Sequence, residues 1–101
     1  MNKFQESQRI LRQLKRAKQH YSDVENTLKE LYQDLKVEAA LYVEISKKMK
    51  NSEHPSLYEG NLSMCKEAII NINRTIRINK RYMETMRTFI QTFKHMDAIG
   101  A

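Results

Sequence analysis

Three histidines, one cysteine and one Ser-x-x-Lys quartet are the side chains from which catalysis or metal binding would have to start in this chain. His20, His54 and His95 are spread along it, whereas a zinc or iron site needs several ligands converging on one point. No Glu-x-x-His pair of the kind that di-iron helical bundles use occurs in the sequence. Residues 63–66, "SMCK", match Ser-x-x-Lys by letters, yet a serine nucleophile needs a pocket and an oxyanion hole that Gly-poor surroundings hardly supply. Cys65 is the single cysteine, so an internal disulfide is excluded and no cysteine pair exists to begin a zinc site. No catalytic constellation forms from these residues. The expectation is a non-enzymatic protein with no cofactor and no metal.

The elements that would position any site are two long helices. From Ile10 the apolar positions run Leu14, Ala17, Tyr21, Val24, Leu28, Leu31, Leu35, Tyr42, Ile45 and Met49, in alternating steps of four and three, with Glu38 occupying one slot. The second half continues with Tyr58, Leu62, Cys65, Ile69, Ile72, Ile76, Asn79, Met83, Met86, Ile90 and Phe93. This is a heptad seam and not the alternation of a strand. The stretch "KEAIININ" at 66–73 could be taken for a strand in isolation, but it supplies Ile69 and Ile72 to the helical seam, with Ile70 on its flank. The chain has two Gly and one Pro, and none of them interrupts residues 1–54. One helix of roughly 45 residues, about 70 Å at 1.5 Å per residue, follows, with a kink near "HYSD" (20–23) as a variant.

"NSEHPSLYEGN", residues 51–61, holds the Pro and an interior Gly and is the turn. The spacing predicts helix 1 over about 3–51, a turn over about 52–57 and helix 2 over about 57–97, with Asn61 as the alternative start of the second. Ser52 is a candidate cap, Ser56 with Glu59 forms a capping box, and the tail "DAIGA" is expected to fray after Asp97. Two helices joined by a short link run antiparallel, which sets residue i beside roughly residue 110 minus i. Arg74, Arg77, Lys80, Arg81 and Arg87 then fall level with Asp23, Glu25, Glu30, Asp34 and Glu38. Much of the charge would be matched internally.

The expected fold is all-α, a single long antiparallel hairpin. Its seams are flanked by Phe4, Leu11, Tyr32 and Ala39 on the first helix and by Ala68, Tyr82, Phe89 and Met96 on the second, with Leu41 and Val43 also apolar outside the seam. A two-helix coiled coil covers only a narrow stripe, so a face this wide calls for a homodimer forming a four-helix bundle. The expected self-association core is Leu14, Leu28, Leu31, Leu35, Ile69, Ile72, Ile76, Asn79, Met83, Met86 and Ile90. Asn79, the amide on an otherwise apolar seam, would fix register or oligomeric state. Cys65, also on the seam, is expected to be a buried and unreactive thiol. Met64, Met83, Met86 and Met96 form a Met-rich stripe whose central members read as core filling rather than as an adaptable binding surface.

The 101 residues carry 18 Lys/Arg against 12 Asp/Glu, a net +6. Residues 1–20 hold six of the basic residues and one acid. Arg9, Arg12, Lys15 and Arg16, with Lys94 near them at the open end of the hairpin, form a basic patch free for a partner. No aromatic is interleaved with that patch along the chain, and no helix-turn-helix appears, so sequence-specific DNA reading is disfavoured. The N-terminus has no apolar signal segment, and the longest apolar run, "AALYV" at 39–43, is too short to span a bilayer, from which a cytoplasmic protein is expected.

One resemblance bears on function. Tyr58-Glu59-Gly60 stands where secreted WXG100-type proteins have Trp-x-Gly, and the chain is similar to them in being a helical hairpin of about this length with a small motif near its middle. Trp is absent, and Tyr82 is followed four residues on by Met86 instead of the acid of their C-terminal signal. The resemblance implies a secretion partner. Composition and missing chemistry favour a protein-interaction module, of the kind found among small bacterial or phage regulators, adaptors and chaperones, that acts by binding another protein. A basic nucleic-acid-binding accessory protein is the alternative.

Overall fold

The computed structural model describes residues 2–100, with side chains through His95. Helix α1 is Lys3–Lys50, a short 3-10 turn is Pro55–Tyr58, and helix α2 is Glu59–Gly100. The helices pack as a hairpin, and no strand occurs among the described residues. "KEAIININ" is wholly helical. α1 passes through "HYSD" without interruption, and α2 continues past Asp97 to Gly100, so the tail is helical where fraying was expected. The flanking Met96 lies outside the described side chains.

α1 begins on a reciprocal cap. The Asn2 side-chain oxygen accepts from the Gln5 backbone N–H at 2.8 Å, while the Gln5 side-chain oxygen accepts from the Asn2 N–H at 3.4 Å. Two of the donors that a helix start leaves without an internal acceptor are thereby satisfied. At its other end Lys47, Lys48 and Lys50 face the negative pole of the helix dipole. His54 precedes Pro55 and takes a non-helical φ of −127° and ψ of 68°, as the proline ring requires of its predecessor. α1 has by then ended at Lys50, so this geometry keeps the link apart from the helical winding that starts at Pro55.

The link corrects one expectation. Ser56 lies inside the 3-10 turn and makes no capping box; the turn's own N-cap, His54, has no side-chain cap. Ser52 is the residue that acts, its Oγ accepting from the His54 N–H at 3.0 Å. The 3-10 turn begins at Pro55 and α2 at Glu59, on either side of the expected start near Leu57.

Every seam residue predicted from Ile10 to Phe93 is buried or half-buried, Glu38 and Asn79 included. Val24, Leu28, Cys65, Ile76 and Met86 are the most enclosed. Contacts divide the chain into two compact units. The first, the open-end unit, joins residues 1–27 to 79–101; the second, the link unit, is 28–78.

The register differs from a fold-back about the middle of the link. Glu38 meets Cys65, where the mid-point rule places it beside a residue near 72. The discrepancy is one heptad. Sliding one helix by seven residues presents the same face to its neighbour, so a heptad pattern cannot separate the two alignments. The tighter link decides between them.

The internal charge match is corrected at three of its arginines. Arg74, Arg77 and Arg81 form no ion pair with an acid of α1 among the described residues. Lys48–Glu44 at 3.6 Å and Arg87–Glu84 at 3.7 Å each lie within one helix between exposed side chains, and Lys80 is engaged by another group. Such pairs contribute at most about 1 kcal/mol.

Candidate functional site

In the link unit the seam carries its polar contact at Cys65. The thiol is 3% exposed and donates toward both the backbone carbonyl and the carboxylate Oε2 of Glu38, each at 3.2 Å. Burial pushes the thiol pKa up from its ordinary value, and the Glu38 hydrogen bond and negative charge push it further in the same direction. A thiol so held stays protonated and is a poor nucleophile. Ser63 and Lys66 are exposed on α2, and nothing in the structure joins them into a catalytic pair. His20, His54 and His95 are all exposed, and no cluster of three or more metal-ligating side chains occurs among the described residues.

The residues expected to form the self-association core line the α1–α2 contact within each unit. In the link unit Leu28 and Ile76 are buried, and Leu31, Leu35, Ile69 and Ile72 are half-buried. The open-end unit has Met86 buried and Leu14, Met83, Ile90 and Asn79 half-buried. Asn79 is engaged by a neighbouring group.

Apolar side chains remain uncovered outside the seam. On the link unit a groove of about 470 Å³ runs along Leu41, Ile45, Met64 and Ala68, and a second of about 600 Å³ along Tyr42, Val43, Met49 and Pro55. Leu57 is 74% exposed and Met64 71%. No side chain is completely enclosed among the described residues.

The basic patch is divided by the fold. Arg9, Arg12, Lys15, Arg16 and Lys94 are all exposed, but only Arg9, Arg12 and Arg16 share one cleft, of about 510 Å³, with Gln5 and Gln13. Lys15 and Lys94 do not line it. Gln13 and Arg16 also belong to an adjoining groove of about 390 Å³, whose other members are Ala17 and His20 from α1 and Tyr82, Thr85, Met86 and Phe89 from α2. Aromatic rings therefore do stand beside the basic residues, contrary to the reading along the chain. The signal was present at a longer range: Gln13 and His20 are one heptad apart, as are Tyr82 and Phe89, and such flanking rows come to the same side of an antiparallel pair.

Also in the open-end unit the Arg87 guanidinium donates to the Tyr21 hydroxyl at 3.4 Å. Its pKa is raised, first by that hydrogen bond and then by the charges of Tyr21 and Glu84. Tyr58 closes the 3-10 turn and Glu59 and Gly60 stand in the first turn of α2, so the Tyr-Glu-Gly motif straddles the end of the link and the start of the second helix. The helices are not long and apolar enough to cross a membrane within the described residues. No family model, curated protein or solved structure matches the chain.

Proposed function

We propose that the protein is a non-enzymatic helical interaction module, a dimer of hairpins in a four-helix bundle that acts by binding another protein. The observation that carries this reading is the uncovered apolar surface of the link unit. Leu41, Met64 and Val43 line grooves that two helices leave open, and an additional helix laid into such a groove would bury them. A third and fourth helix would also enclose a seam in which no residue is yet completely buried. Asn79, engaged on the seam, then penalises alternative alignments, because a shifted register would strand its amide.

Sedimentation equilibrium of the parent, of Leu41→Asp with Met64→Asp and of Asn79→Ile tests the reading. The parent is expected to be dimeric at tens of micromolar and the double aspartate variant monomeric with its helices retained. Asn79→Ile should melt higher yet spread over several oligomeric states. A parent that stays monomeric overturns the dimer.

A further inference from the structure

We infer that the open-end unit binds single-stranded nucleic acid along the surface that runs from Arg9, Arg12 and Arg16 into the Tyr82–Phe89 groove. The surface has two adjoining parts of different chemistry, joined at Gln13 and Arg16. On α1 stand three guanidinium groups at positions 9, 12 and 16, spread over about 10 Å of helix at 1.5 Å per residue, with His20 beyond them. On α2 stand Tyr82, 49% exposed, and Phe89, 41% exposed, over a floor of Ala17 and Met86.

A single strand has the same division, a chain of phosphates along one edge and flat rings along the other. Non-specific single-strand binders combine a cationic track with aromatic side chains on which bases stack. No acidic side chain lines the cleft or the groove. The charge is placed accordingly: the open-end unit holds ten Lys/Arg against five Asp/Glu, so it carries five of the six net charges. An acidic amphipathic helix would satisfy the arginines, but its affinity would rest on an enclosed apolar pocket for an anchor side chain. This groove instead exposes its rings to solvent.

The site goes beyond the protein-binding reading and stands on different residues from the link-unit grooves. It is tested on the full chain by fluorescence anisotropy with a labelled oligo-dT of about twenty nucleotides, beside a labelled heparin fragment and a labelled poly-glutamate peptide. With three phosphates neutralised, oligo-dT affinity should fall roughly twentyfold between 50 and 200 mM salt. Arg12→Glu with Arg16→Glu should lower it at least tenfold while circular dichroism shows unchanged helix content. Tyr82→Ala should weaken oligo-dT about tenfold through lost stacking and leave heparin within twofold. Replacing Lys47, Lys48 and Lys50 by Gln should change neither. Absence of oligo-dT binding at 50 mM salt overturns the site, as does a Tyr82→Ala variant that binds oligo-dT like the parent. Poly-glutamate binding as tight as oligo-dT would also overturn it and assign the surface to an acidic protein.

Discussion

The open-end unit and the link unit are built on the same seam and differ in almost everything outside it. Ten basic residues against five acids mark the first, eight against seven the second. Across the seam the first has an arginine bonded to a tyrosine hydroxyl, and the second a thiol enclosed against a carboxylate. The uncovered apolar side chains of the link unit line apolar grooves, whereas Tyr82 and Phe89 of the open-end unit share a groove with Arg16. One heptad pattern thus supports two surfaces of unlike chemistry, because it specifies only the residues that turn inward. The flanking rows are free to diverge.

If the seam is what both units share, removing a buried side chain from either should cost about the same. Ile76→Ala in the link unit and Met86→Ala in the open-end unit, buried to 5% and 7% exposure, should each destabilise by about 2–4 kcal/mol in urea unfolding. Ile70→Ala, on an exposed flank, should stay within about 0.5 kcal/mol. A Met86→Ala variant as mild as Ile70→Ala would break the comparison, showing that the open-end seam contributes little.

The contrast in polar contacts is sharpened at Cys65. Iodoacetamide should label it slowly in the folded protein and rapidly after denaturation. Glu38→Gln should speed native labelling several-fold, since removing the negative charge eases formation of the thiolate. The folded thiol retains its proton at a pH where an unfolded one, with an ordinary value of 9.0, has begun to lose it. The associated stability is therefore complete below that pH and is lost as pH rises past it. Cys65→Ala should flatten this alkaline decline, and an identical decline in the variant would dissociate it from the thiol.

The smallest expected effect is at Gly60. Its φ is not positive, and a Cβ added there meets nothing within 4 Å. A glycine in a helix without such a constraint costs about 0.5–1 kcal/mol relative to alanine. Gly60→Ala should raise stability by that amount with no change in oligomeric state. A loss of stability would mean that the glycine backbone at position 60 is itself required by the Tyr-Glu-Gly segment.

The inward-facing residues were legible because a helix buries every third and fourth side chain whatever its neighbour is, and the sequence keeps that period from Ile10 to Phe93. The break before Pro55 was equally local, a matter of ring sterics. The reciprocal Asn2–Gln5 cap has the three-residue spacing of a capping box with Asn and Gln in place of Ser and Glu. Ser56 and Glu59 were misread because the same letters fit a capping box and a 3-10 turn, and only the backbone path distinguishes them.

Composition and periodicity by themselves determined that this chain is helical, that it turns back near residue 54, and which side chains enter the seam, since these follow from backbone propensity and the 3.6-residue repeat. Tertiary structure alone decided that Glu38 faces Cys65, because a seven-residue slip is invisible to a seven-residue pattern. It also decided that the rings of Tyr82 and Phe89 stand beside Arg16 and His20. Residues more than sixty positions apart share a groove only once the link has set which heptad of α2 lies against which heptad of α1.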